Sequence, residues 1–100
     1  MKKFSEIQDL ITKEYEYTAN GFSIGDIYND VNSNQWSGRV LSYAKLNGLN
    51  LQQTLELFGE HYQDVLNNPN TDTHKNIRAL IKYGVNGVKF DGEKLLLVRK

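Results

Sequence analysis

Apolar positions open the chain at helical spacing: Phe4, Ile7, Leu10, Ile11 and Tyr15 fall on one face, and Ser5 followed by Gln8 has the form of a capping box. The pattern predicts a first helix from Ser5 to Tyr15. Between Thr18 and Ser37 the period is lost. Asn20, Gly21, Gly25, Asn29, Asn32 and Asn34 are turn-forming residues, while Phe22, Ile24, Ile27 and Tyr28 supply apolar anchors. An ordered loop is expected there, with a hairpin turning at Asn20-Gly21 as the alternative. That segment could also contribute a third short strand to the fold.

Helical spacing returns with Val40, Leu41, Tyr43, Ala44 and Leu46, for which Ser37 is the expected cap and Asn47-Gly48 the stop. Asn50 should cap a third, longer helix in which Leu51, Thr54, Leu55, Phe58, Tyr62, Val65 and Leu66 trace one stripe before Asn67-Asn68-Pro69. Asp72 or Thr73 can cap a fourth, with Ile77, Leu80 and Ile81 as its apolar face and Gly84 as its end. Val88 and Phe90 before Asp91-Gly92, and Leu95 to Val98 after it, have the pattern of a tight C-terminal hairpin that needs a helix to pack on. The expected fold class is therefore α+β and mainly helical: about four helices with a small C-terminal β-hairpin, in one domain spanning residues 1–100.

Composition narrows the function classes. Twelve basic residues balance twelve acidic ones, so the chain lacks the broad positive field that draws proteins to nucleic acid or anionic lipid. The basic ends, Lys2-Lys3 and Arg99-Lys100, read as solvated charge. With no cysteine, disulfides, thiolate zinc sites and a cysteine nucleophile are excluded. No window has the apolar length of a membrane span, and Phe4 to Asp9 is too polar for a signal-peptide core, so synthesis as a cytoplasmic protein is expected.

Three stretches resemble the HopJ type III effector family of small bacterial proteins. They are Asn34 to Leu46 (NQWSGRVLSYAKL), Leu49 to Gly59 (LNLQQTLELFG) with Tyr62 and Asp64-Val65-Leu66, and His74 to Arg78 (HKNIR) with Gly84, Gly87, Val88 and Phe90 following. The resemblance runs from about Tyr15 to Leu95. Where the family pattern has Gly and Cys around its motif serine this chain has Trp36 and Gly38, and Thr73 separates Asp72 from His74. The family brings no agreed biochemical activity; its name implies export through a type III system for members that act as effectors.

Among residues able to carry chemistry, His74, Asn76 and Arg78 are the foremost group. His74 and Arg78, four apart on a helix, can share a face, and a helix start favours an anion that Arg78 could clamp. The plainer reading is that Asn76 and Arg78 tie loop backbone to the fold and His74 satisfies a local carbonyl or cap. Asn34 and Ser37 join these as candidate binding residues, although capping accounts for Ser37. His61 is expected at the surface, and Glu56 with Glu60 reads as solvated helix face. Tyr28 and Trp36 could form a recognition surface, but the area such rings bury favours cover for the helices.

No nucleophile, base and oxyanion set can be assembled from spacing, so no catalytic residue, metal site or cofactor is assigned. The first functional reading is a non-catalytic binding or interaction domain for a protein partner or a small polar or anionic ligand. The second is a small enzyme using His74, Arg78 and Asn34, distinguished by a concave pocket holding all three side chains. The oligomeric state is open.

Overall fold

The computed structural model describes residues 3–93 and 97–100. Among them are five helices and two small antiparallel sheets: α1 (Phe4–Glu14), β1 (Tyr15–Tyr17), β2 (Phe22–Ile24), β3 (Ile27–Asn29), α2 (Gln35–Leu46), α3 (Leu51–Glu56), α4 (Glu60–Asn67), α5 (Lys75–Tyr83), β4 (Val88–Phe90) and β5 (Leu97–Arg99). The class is α+β with a helical majority, as its sequence periodicities predicted. Two expectations about connectivity need correction.

The first concerns the strands. The Asn-rich segment does form strands, but its hairpin turns at Gly25-Asp26, where Gly25 takes φ 59°, and joins β2 to β3. β1 and β2, on either side of Asn20-Gly21, are not paired with each other. β2 is the middle of the three-stranded sheet β3-β2-β4, and β1 pairs with β5. Strands do flank Asp91-Gly92, but each pairs with an earlier one: Phe22 lies opposite Phe90, and Tyr17 opposite Leu97. Leu95 and Leu96, assigned to the second arm of that hairpin, lie outside the described residues. Strands of three residues cannot sustain a free hairpin, so each pairs where its apolar side chains reach the core. Phe22 and Ile24 of β2 are fully buried there.

The second concerns the stripe from Leu51 to Leu66, which two helices carry instead of one. Gly59 between them has φ 55° and ψ −126°, a conformation open in practice only to glycine. Asn50 caps α3 as expected, its Oδ1 accepting from the Gln53 N–H at 2.8 Å. The break at Gly59 turns α4 so that Tyr62 and Val65 join Phe58, which precedes the break, in the core. Glu60, at the start of α4, accepts the N–H of Phe4 at 2.6 Å and so satisfies an orphan donor at the start of α1. Leu10, Leu46, Leu66 and Ile81, all placed on apolar stripes by spacing, are exposed.

One apolar cluster draws on all five helices and on β1, β2, β4 and β5, with Phe22, Val40, Leu41, Phe58 and Leu80 at its centre. Gly38 lets α2 approach the strands closely, since a Cβ there would stand 2.6 Å from Tyr17 Oη and 3.0 Å from the Phe22 ring. Tyr28, expected as core cover, is exposed; its hydroxyl donates to Asp91 Oδ2 at 2.6 Å, which pushes the phenol above its usual pKa. No described helix is long and apolar enough to cross a membrane.

Two outcomes follow from the α3–α4 break. Gly59→Ala should destabilise the fold by about 1–2 kcal/mol through backbone strain, read as a lower denaturant midpoint. The hydrogen bond from Phe4 holds the Glu60 carboxyl below the usual Glu pKa. A carboxyl whose folded pKa is depressed stabilises the fold above its unfolded pKa, and that contribution is lost as pH falls through the folded value. Glu60→Gln should therefore lower the melting temperature at neutral pH and flatten its decline toward about pH 3. Parallel curves for the two proteins would remove Glu60 from the acid response.

Candidate functional site

Segment 30–37 is ordered by side-chain amides. Gln35 Oε1 accepts from the Tyr17 hydroxyl at 2.6 Å and the Asn20 N–H at 3.1 Å, while its Nε2 faces the carbonyls of Asn20, Asp30 and Ser33 at 3.0–3.1 Å. The first residue of α2 is thereby pinned to both ends of the preceding loop. Burial pushes the Tyr17 phenol up in pKa, opposed by the nearby Arg39 guanidinium.

A second amide group joins α2 to α5. Asn29 at the end of β3 and Asn76 in the first turn of α5 are both buried, and they exchange hydrogen bonds: Asn29 Nδ2 to Asn76 Oδ1 at 2.9 Å, and Asn76 Nδ2 to Asn29 Oδ1 at 3.1 Å. Asn34 Nδ2 donates to the same Asn29 oxygen at 2.7 Å. Buried amides are costly unless paired, so this group holds the two helix starts in a fixed relation.

Both helices begin in the same unusual way. Asn34 (φ 52°, ψ 37°) precedes α2, and His74 (φ 53°, ψ 54°) precedes α5; they are the non-glycine residues of positive φ among those described. An ordinary N-cap is extended and bonds through its side chain, and neither of these does. The first bonded N–H of each helix is that of Gly38, to the Asn34 carbonyl, and that of Arg78, to the His74 carbonyl, each at 3.1 Å. The N–H groups of Gln35, Trp36, Ser37, Lys75, Asn76 and Ile77 ahead of them have no partner among the described residues. A left-handed residue running into a helix turns successive N–H groups to one side, an arrangement that attracts anions.

The two helix starts line one open cleft of about 400 Å³. α2 contributes Asn34, Trp36 and Ser37; α5 contributes His74, Lys75, Asn76 and Ile77; Phe4, Phe58 and His61 complete the wall. His74 Nε2 lies 2.9 Å from Asp64 Oδ2, one turn along α4 from His61. The His61 and His74 rings are 5.0 Å apart, and His61 meets Phe4 edge to face at 4.9 Å. Phe4 in turn stacks on Phe58 at 5.9 Å.

Four of the five candidate binding residues, Asn34, Ser37, His74 and Asn76, therefore meet in the cleft. Arg78 does not line it. His74 precedes the helix instead of lying in its first turn, so the four-residue spacing does not bring the two side chains together. Arg78 instead clasps segment 68–73, donating to the carbonyls of Asn68 (2.8 Å), Pro69 (3.0 Å) and Thr73 and to Thr71 Oγ1 (2.8 Å). Ser37 lies in the first turn of α2, one of the corrections to the expected caps; Asn34 and His74 occupy the cap positions. Asn76 pairs side chain to side chain with Asn29 and not with loop backbone, whereas Arg78 ties loop backbone to the fold as the plainer reading of it expected.

Sequence reasoning did not place His61, Asp64 or Lys75 at the site, and it weighed Trp36 as a recognition surface but preferred core cover. His61 is half-buried in the wall of the cleft, not at a bland surface. The three-residue spacing of His61 and Asp64, which places them on one helix face, was the available signal. Trp36 is 58% exposed and so does not cover the core. Among the described residues no group of three His, Cys, Asp or Glu side chains is placed to hold a metal ion.

The family model described as HopJ type III effector protein matches residues 1–95. A crystal structure described as that of unknown function protein VPA0580 superimposes with a TM-score of 0.92 at 32% identity, covering 98% of this chain and 81% of that one. No curated protein matches the chain.

Arg78→Ala should lower stability by about 1–3 kcal/mol, because carbonyls gathered by one guanidinium lose a charged donor. Chemical denaturation would measure it. An unchanged midpoint would show that segment 68–73 holds its shape without the clasp.

Proposed function

The chain belongs to the HopJ type III effector protein family, whose description states no reaction, and from the cleft we propose a non-catalytic binding domain for a small oxyanion, a phosphate or carboxylate. One observation carries the reading: two helix starts with left-handed leading residues and unpaired N–H groups line the same cleft as Lys75 and the His61–His74 pair. Partial positive charge from each helix end adds to the full charge of Lys75. The amide group of Asn29, Asn34 and Asn76 sets the separation of the donors before any ligand arrives, which lowers the ordering cost of binding. Arg78 takes no part.

A second reading, general acid–base catalysis by His74, is favoured by its hydrogen bond to Asp64. A carboxylate on one ring nitrogen fixes ring orientation and leaves Nδ1 for a substrate proton. Ser37 is the hydroxyl in the same cleft. We also propose that the domain is made in a bacterial cytoplasm, and the family description suggests delivery through a type III system; binding of a small anion is compatible with either location.

Titration with inorganic phosphate at constant pH and ionic strength, followed by the imidazole proton signals of His61 and His74, tests the first reading. Both signals should move along one saturating curve, and Lys75→Ala should weaken binding about fivefold, the effect of losing one charge-assisted contact. Arg78→Ala should leave the curve in place. Histidine signals that stay fixed to tens of millimolar phosphate and carboxylate, a range at which even about −2 kcal/mol would register, would overturn it.

A further inference from the structure

The cleft is larger and more aromatic than an inorganic oxyanion requires. Its volume of about 400 Å³ would hold on the order of ten waters at about 30 Å³ each, several times what a tetrahedral anion displaces. It falls within the size range of sites that enclose organic ligands.

Rings also form a continuous path into it. Phe4 packs against His61, and His61 against His74, so aromatic faces lead from the wall to the polar end of the cleft. Trp36, the one tryptophan of the chain, lines the same cleft while 58% exposed. An indole left in water is ordinarily free to change rotamer. This one lies under the Arg39 guanidinium, whose carbon is 4.6 Å from the Trp36 ring and 5.0 Å from that of Tyr17. Arg39 Nε is buried without a hydrogen-bond partner, so the guanidinium is held largely by the two rings. The indole is thereby fixed before binding, the condition under which an exposed aromatic contributes most to affinity.

Resting on the anion-binding reading, we infer that the natural ligand is a small planar aromatic molecule bearing one phosphate or carboxylate. Its oxyanion is held at His74, Lys75 and the two helix starts, and its ring packs against Trp36 and Phe4.

The test compares inorganic phosphate, acetate, phenyl phosphate, cyclohexyl phosphate and benzoate on the full chain. Two signals report: the His61 and His74 imidazole protons for the oxyanion, and Trp36 fluorescence for the ring. Phenyl phosphate should bind about tenfold tighter than inorganic phosphate and alter Trp36 emission, with cyclohexyl phosphate several-fold weaker than phenyl. Trp36→Leu, checked for an unchanged melting temperature and followed by the histidine signals, should bring phenyl phosphate down to the affinity of inorganic phosphate. Trp36→Phe should recover part of the gain. Benzoate against phenyl phosphate decides which oxyanion the site prefers, and a gain for either over its ring-free anion supports the inference. Phenyl phosphate and benzoate each binding no tighter than phosphate and acetate would overturn it while leaving the anion site standing. Equal affinity for phenyl and cyclohexyl phosphate would overturn the planar ligand. Silence of every ligand would end both readings.

Discussion

The pairing of Asn29 with Asn76 is the contact on which the arrangement of the cleft depends. Two primary amides, one at the end of a strand and one in the first turn of a helix, exchange donors and acceptors out of reach of water. In that setting a lone partner would cost more than the bond itself contributes, so the pair is held nearly all or none. Asn34 adds a third amide to the same oxygen. β3 and the nearby start of α2 are thereby held to the sequence-distant start of α5 by one polar cluster beside the apolar core.

Around that constraint the other unusual features of the chain become consistent. Asn34 and His74 adopt left-handed backbone at some cost, and such cost persists only where neighbours over-determine the conformation. Gln35 supplies that determination for Asn34 by binding the loop on either side of it. The Asp64 contact does so for His74, and the Arg78 clasp shapes the segment that leads into it. Gly59 then turns α4 so that His61 and Asp64 reach the same region. Polar groups that in most helices would cap their own backbone here cross-link separate elements, and the backbone donors of the two helix starts that line the cleft are left without partners among the described residues.

Much of this was legible from residue order. The helices α1, α2 and α5 follow from apolar spacing, although Lys3, Asn34 and His74 stand at their cap positions in place of the expected Ser5, Ser37 and Asp72 or Thr73; the Asn50 cap and the Gly84 end were also legible, and the family resemblance stands over residues 1–95. Asn34, Ser37, His74 and Asn76 were legible as candidates because each lies in a polar stretch next to a helix start, and the fold brings these four to one cleft. Arg78 was misplaced for a definite reason. The four-residue rule assumes that both residues lie on the helix, and the left-handed His74 turns its side chain toward α4 instead. His61 was set aside because its partners, Phe4 and His74, are far from it in sequence and spacing cannot bring them together.

By itself, then, the sequence determined what depends on near neighbours: the helical periods, the Asn50 cap, the glycine that ends α5, the balanced charge and the absence of cysteine chemistry. Tertiary structure alone decided which strand pairs with which, since three-residue strands carry too little information to choose partners and take those that bury Phe22, Val88 and Leu97. It also decided the composition of the cleft. Asn29 with Asn76 and His61 with His74 are contacts between separate elements, and their energies exist only after the core has brought those elements together.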